Sequence, residues 1–92
     1  MTKYVVYLVK YFNRGMYMYY CGYTGNIERR MREHRSGKTK SLRNKHLAGY
    51  AIISSKYDTV QEAMYMERWV KRNFNHKQKA MIFTKNVVER WE

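Results

Sequence analysis

Residues 19–34 read YYCGYTGNIERRMREH, and this stretch decides the fold. A tyrosine-rich run stops at Gly22, turns through Thr24-Gly25-Asn26 and continues as a helix. Asn26 suits the N-cap, and Glu28 sits in the first turn, where a carboxylate complements the helix dipole. The pattern predicts a helix over 27–35, closed by Ser36-Gly37. Within it Ile27, Arg30, Met31 and His34 fall at i, i+3, i+4 and i+7 and share one face, while Arg29, Arg32, Glu33 and Arg35 point the other way. The inward stripe is half apolar and half cationic, which is costly unless the cations find partners.

Outward from that helix the elements follow in order. Residues 4–11 (YVVYLVKY) are β-branched and aromatic on both parities, the mark of a strand buried on two faces. Asn13-Arg14-Gly15 signals a turn, so residues 16–23 complete an antiparallel hairpin. Residues 37–46 (GKTKSLRNKH) form a basic loop, and 47–56 (LAGYAIISSK) a third strand. Asp58 or Thr59 caps a long helix to about Phe74, and Asn75-His76 separates it from a short helix over 77–83. The order is ββαβαα, an α+β domain with a small three-stranded antiparallel sheet flanked by helices. Residues 1–83 make the domain, and 84–92 extend it with no clear preference between helix and strand.

The bulk numbers narrow the function. A chain of 92 residues with 45% hydrophobic content, ten Tyr, three Phe and two Trp builds one small domain with a real core. One cysteine, Cys21, allows no intramolecular disulfide and reads as a small buried strand residue; with three scattered histidines (His34, His46, His76) it also argues against structural zinc. No stretch approaches the roughly 20 apolar residues of a membrane span. MTKYVVYLVK is too short in its apolar run for a signal peptide, so a cytoplasmic protein is expected, nucleoid-associated when bound to DNA. The net charge of +12 points to nucleic acid as partner. A membrane surface would favour a basic amphipathic helix with a broad apolar face, and no segment reads that way.

The long helix carries the opposite anomaly. Val60, Ala63, Met64, Val70 and Phe74 form its apolar stripe, with Glu67 in the middle of that line. Either Glu67 and Arg30 pair in the core, adding little net stability, or both open into a cleft where Glu67 holds a cation and Arg30 awaits an anion. Tyr7 and Tyr20 lie on the first two strands, and Gly22 implies that something approaches the backbone closely there.

These residues resemble the GIY-YIG nuclease domain over roughly 4–83. Val5-Val6-Tyr7 resembles the first signature, with Val in place of Gly and Ile, and Tyr20-Cys21-Gly22 the second, with Cys for Ile. GNIERRMREH resembles the helix with the family arginine, which falls on Arg30, and His34 matches a position where members carry His or Tyr. EAMYME resembles the segment ending in the metal-binding glutamate, here Glu67. The look is closest to small stand-alone members. Tyr23 stands where some members have lysine, and Asn73 and Asn75 are the candidates for a late asparagine found in others.

The resemblance implies a divalent-metal-dependent endonuclease acting on DNA phosphodiesters with Mg²⁺, for which Mn²⁺ substitutes. Glu67 would bind the metal and Arg30 would grip the scissile phosphate. Tyr7 would take a proton from water, its pKa lowered by nearby cations, with His34 as rival base. Tyr20 and His34 would orient water and phosphate. Arg29, Arg32, Arg35, Lys38, Lys40, Arg43 and Lys45, with Glu33 the one acid among them, suit the nucleic-acid backbone, giving salt-sensitive binding. With so little surface for base reading, recognition of branched or flexible DNA, or weak sequence choice, is expected. The competing reading is a DNA- or RNA-binding module that keeps the fold without cutting. Trp91 and the tail, lacking an internal role, leave room for a partner protein or a second copy of the chain.

Overall fold

The computed structural model describes residues 3–92. Tyr4–Asn13 form β1 and Met16–Thr24 form β2. Arg14 and Gly15, between them, both have positive φ, 52° and 84°, as a tight type I′ hairpin requires. Ile27–Arg35 form α1, a single 3₁₀ turn spans Lys40–Leu42, and His46–Tyr57 form β3. Val60–Asn73 are α2, His76–Asn86 are α3, and Val87–Arg90 are β4.

Side-chain caps fix where the helices begin. Asn26 accepts from the Arg29 amide at 3.0 Å. Thr59 with Glu62, and Asn75 with Gln78, form reciprocal capping boxes at α2 and α3.

All strand pairings are antiparallel, in the order β2-β1-β3-β4. The fold is α+β with three helices, but the sheet has four strands where three were expected. α3 also runs beyond residue 83, to Asn86. The extra strand is four residues long and mostly exposed, too short to display the alternation that marks a strand in sequence. β4 and the residue after it give the tail an internal role. The Trp91 amide donates to the Ala48 carbonyl at 2.9 Å, and its ring packs on Tyr50 at 5.7 Å with the Arg35 guanidinium 4.8 Å from it.

β1 lies between β2 and β3 and is buried on both faces, as its sequence implies. One face sends Val6 and Leu8 to meet Cys21, Ala51, Val70 and Phe83 under α2 and α3. The other sends Tyr7 and Val9 to meet Met31, Leu42 and Tyr50 beneath α1 and the basic loop. Of the expected α2 stripe, Ala63 and Val70 are buried, whereas Val60, in the first turn, is exposed. No described helix is long and apolar enough to cross a membrane.

Candidate active site

The register of the hairpin sets Tyr7 opposite Gly22 and Val9 opposite Tyr20. A Cβ at position 22 would lie 2.5 Å from Tyr7 Oη and 2.7 Å from its Cζ. The missing side chain therefore makes room for the Tyr7 phenol, which crosses its partner strand and reaches α1. There Tyr7 Oη lies 2.6 Å from His34 Nε2. The other ring nitrogen, Nδ1, is hydrogen-bonded to Thr39 Oγ1 in the basic loop. His34 is 1% exposed, and burial, with the charge of Arg30, lowers its pKa to about 4. At neutral pH the imidazole is therefore uncharged, with one nitrogen donating and the other accepting.

The Tyr7 phenol behaves contrary to the sequence expectation. Burial pushes its pKa well above the usual tyrosine range and outweighs the opposing pull of Arg30. Tyr20 stands beside both groups, its ring 6.5 Å from Tyr7 and edge-on to His34 at 5.3 Å.

Arg30 and Glu67 do not neutralise each other. Arg30 Nη1 donates to Glu33 Oε1 at 3.0 Å, and Glu67 Oε2 lies 3.6 Å from Lys71 Nζ, one turn along α2. Glu33, assigned to the outer face from spacing, thus turns toward Arg30, because a side chain three residues along a helix reaches its neighbour. Burial works against the Arg30 charge, but hydrogen bonding to Glu33 and Tyr7 outweighs it and holds the guanidinium protonated.

These side chains surround a cleft of about 390 Å³ lined by Tyr7, Tyr20, Gly22, Tyr23, Thr24, Arg29, Arg30, Glu33 and Glu67. Four of the five residues singled out as catalytic line it, and the fifth, His34, lies behind Tyr7. Of the basic residues, Arg29 also faces the cleft. Arg32 and Arg35 line a different depression with Glu28, Tyr50 and Glu89. Lys38, Lys40 and Arg43 are exposed on the loop after α1 and Lys45 is half-buried. Arg43 also fastens that loop by donating to the Gly37 carbonyl at 2.9 Å. Asn73 and Asn75 have structural roles, on the Trp69 carbonyl and at the α3 cap. Thr39 escaped the sequence reading because a lone loop threonine has no periodicity to betray its aim.

The sequence profile of the GIY-YIG catalytic domain matches residues 3–80. The chain belongs to the GIY-YIG family. The UPF0213 protein YsiG of Lactococcus lactis subsp. lactis (strain IL1403) is 28% identical over 89 residues, covering 97% of this chain and 83% of the relative. A UPF0213 protein of Lactococcus lactis subsp. cremoris (strain SK11) is 31% identical over 70 residues, 76% and 71% of the two chains. No solved structure matches significantly. Both relatives are small, like the stand-alone members the sequence resembles. A GIY-YIG domain implies nuclease-type function with DNA as substrate, and nucleases of this family typically depend on a divalent metal.

The cleft's donor chemistry fits a hard divalent cation. Glu67 offers one carboxylate, its side chain 14% exposed, in an open site otherwise walled by hydroxyls, Arg29 and the paired Arg30 and Glu33. Mg²⁺ is commonly held by one or two carboxylates, with water and phosphate oxygens completing its shell. No three His, Cys, Asp or Glu side chains converge among the described residues, so a cage made wholly of protein ligands is not on offer there. The Cys21 thiol, pushed up to about 12 by burial, stays protonated.

Proposed function

We propose that the chain is a divalent-metal-dependent endonuclease whose cleft hydrolyses a DNA phosphodiester. The observation that carries this reading is the separation of charges. Arg30 and Glu67 reach one open, polar cleft from two helices while each keeps a neighbour of its own helix as counter-ion. A domain this small gains little from such an arrangement unless an outside ligand uses it.

In this reading Arg30 exchanges its bond to Glu33 for the scissile phosphate, two of whose oxygens suit the planar guanidinium fork. Glu67 holds the divalent cation, Mg²⁺ or Mn²⁺, which supplies charge neutralisation at the phosphate and the leaving oxygen. Tyr7 and His34, rivals from sequence alone, act in series. A neutral phenol is a poor base, but an uncharged imidazole nitrogen lies 2.6 Å away, and it accepts the phenol's proton in the tautomer protonated on Nδ1. As the water oxygen bonds to phosphorus, its proton passes to Tyr7 Oη while the Tyr7 proton passes to His34 Nε2. The bond from phosphorus to the leaving oxygen breaks as that oxygen takes a proton from solvent, and no free phenolate is required. Tyr20, beside both rings, orients the water. Arg29 and the exposed cations after α1 steady the DNA backbone without reading bases.

Plasmid nicking by the purified full chain in Mg²⁺ and in Mn²⁺, with random duplex, branched and single-stranded DNA compared, tests the proposal. Metal-dependent cleavage favouring branched or flexible DNA supports it. Tight binding without cleavage in either metal supports a binding module instead.

A further inference from the structure

The side of α2 turned away from the core carries a second feature that the cleft does not use. Tyr65, Arg68, Trp69 and Arg72 fall at i, i+3, i+4 and i+7 and share one stripe. Helical spacing sets this stripe nearly opposite Ala63 and Val70, and well around the helix from Glu67. Tyr65 is 72% exposed and Trp69 41%, a costly display for two large rings on so small a domain. With Asn73 these four side chains enclose a groove of about 260 Å³.

The groove is held in shape. The Trp69 ring stands edge-on to Phe74 at 5.3 Å, and Asn73 Nδ2 donates to the Trp69 carbonyl at 2.9 Å. Its charge is one-sided. Arg68 and Arg72 have no ion-pair partner among the described residues, since Glu67 is paired with Lys71. Glu62, the acid one turn earlier, is committed to the Thr59 capping box. Aromatic rings flanked by uncompensated guanidinium groups, on a chain of net charge +12, are the elements with which proteins bind unpaired nucleic-acid strands. Bases stack on the rings and the cations meet the backbone. A protein partner would also welcome the aromatics, but the unrelieved positive charge favours a polyanion.

We propose that Tyr65, Arg68, Trp69 and Arg72 form a stacking site for single-stranded DNA, separate from the cleft. The site accepts unpaired bases without strong sequence preference. It also gives the domain a hold on substrates that carry both paired and unpaired segments.

The test is equilibrium binding of labelled oligo(dT) and of a duplex of equal length, in EDTA, so that cleavage by the cleft has no bearing on the result. The Tyr65→Ala/Trp69→Ala protein is expected to lose about ten- to a hundredfold in oligo(dT) affinity and less than about twofold on duplex. Tyr65→Phe/Trp69→Phe, which keeps an aromatic ring at each position, retains most of the affinity and guards against loss through misfolding. In parallel, oligo(dT) quenches the tryptophan fluorescence of the wild type, and Trp69→Phe removes most of the quenching. Unchanged oligo(dT) affinity in the alanine protein overturns the proposal. So does an equal loss on duplex, or full quenching in Trp69→Phe.

Discussion

Tyr7 Oη and His34 Nε2 lie 2.6 Å apart in a buried contact that ties the central strand to the first helix. One hydrogen bond thus joins the two groups that sequence alone presents as competing bases. Its partner bond, from His34 Nδ1 to Thr39, extends the line into the basic loop. Position and protonation of the phenol are therefore set by residues from three separate segments.

The acid limb of the stability curve reports on His34. Its folded pKa, about 4, lies below the unfolded value near 6.5, so the unfolded chain binds the proton first. Stability from this group is complete above pH ~6.5 and is lost as pH falls toward 4, by up to about 3 kcal/mol. Urea denaturation at a series of pH values should show that slope in the wild type and a flatter profile in His34→Gln.

Thr39 supplies the hydrogen-bond partner of His34 Nδ1. Thr39→Val keeps the shape but leaves His34 Nδ1 without a partner, at a cost of about 1–3 kcal/mol. Thr39→Ser should restore most of that loss. Nitrogen chemical shifts of His34 should show a single tautomer in wild type and Ser variants and a mixture in the Val variant.

Gly22 is required for the space it leaves. Gly22→Ala pushes a methyl against Tyr7 Oη and Cζ, and overpacking of this kind costs about 1–3 kcal/mol. Tyr7→Phe in the same chain relieves only the hydroxyl part of the clash. A thermal-denaturation double-mutant cycle should therefore give a favourable coupling energy between the two changes.

If Arg30 grips the scissile phosphate, Glu33 competes with that phosphate for it. The Arg30 guanidinium beside it holds its carboxyl below the usual range. Glu33→Gln should release Arg30 and tighten duplex binding by about two- to tenfold, since a charge-assisted bond gives way to a weaker neutral one. Anisotropy titrations across a salt series measure this.

How much of this was legible depended on whether a residue's role was periodic. The β1–β2 hairpin, α1 and its Asn26 cap, and the aromatic and apolar run of β1 all follow local rules that a sequence displays. Arg30, His34 and Glu67 stood out because each breaks an apolar stripe. What could not be seen depended on three-dimensional approach. β4 is a strand because β3 offers it an edge, while its four residues carry no pattern of their own. Glu33 was assigned outward by spacing and turned toward Arg30 by charge. The rise of the Tyr7 pKa, where cations suggested a fall, reflects burial in a strand covered on both sides, a magnitude that spacing does not supply.

Cleavage and binding measured side by side for wild type and Glu67→Ala test the central claim most directly. If Glu67 presents its carboxylate to an outside cation in an open cleft, Mg²⁺-dependent nicking falls by at least about a hundredfold while DNA affinity holds or rises. Nicking that survives at the wild-type rate in the purified Glu67→Ala protein would contradict the account.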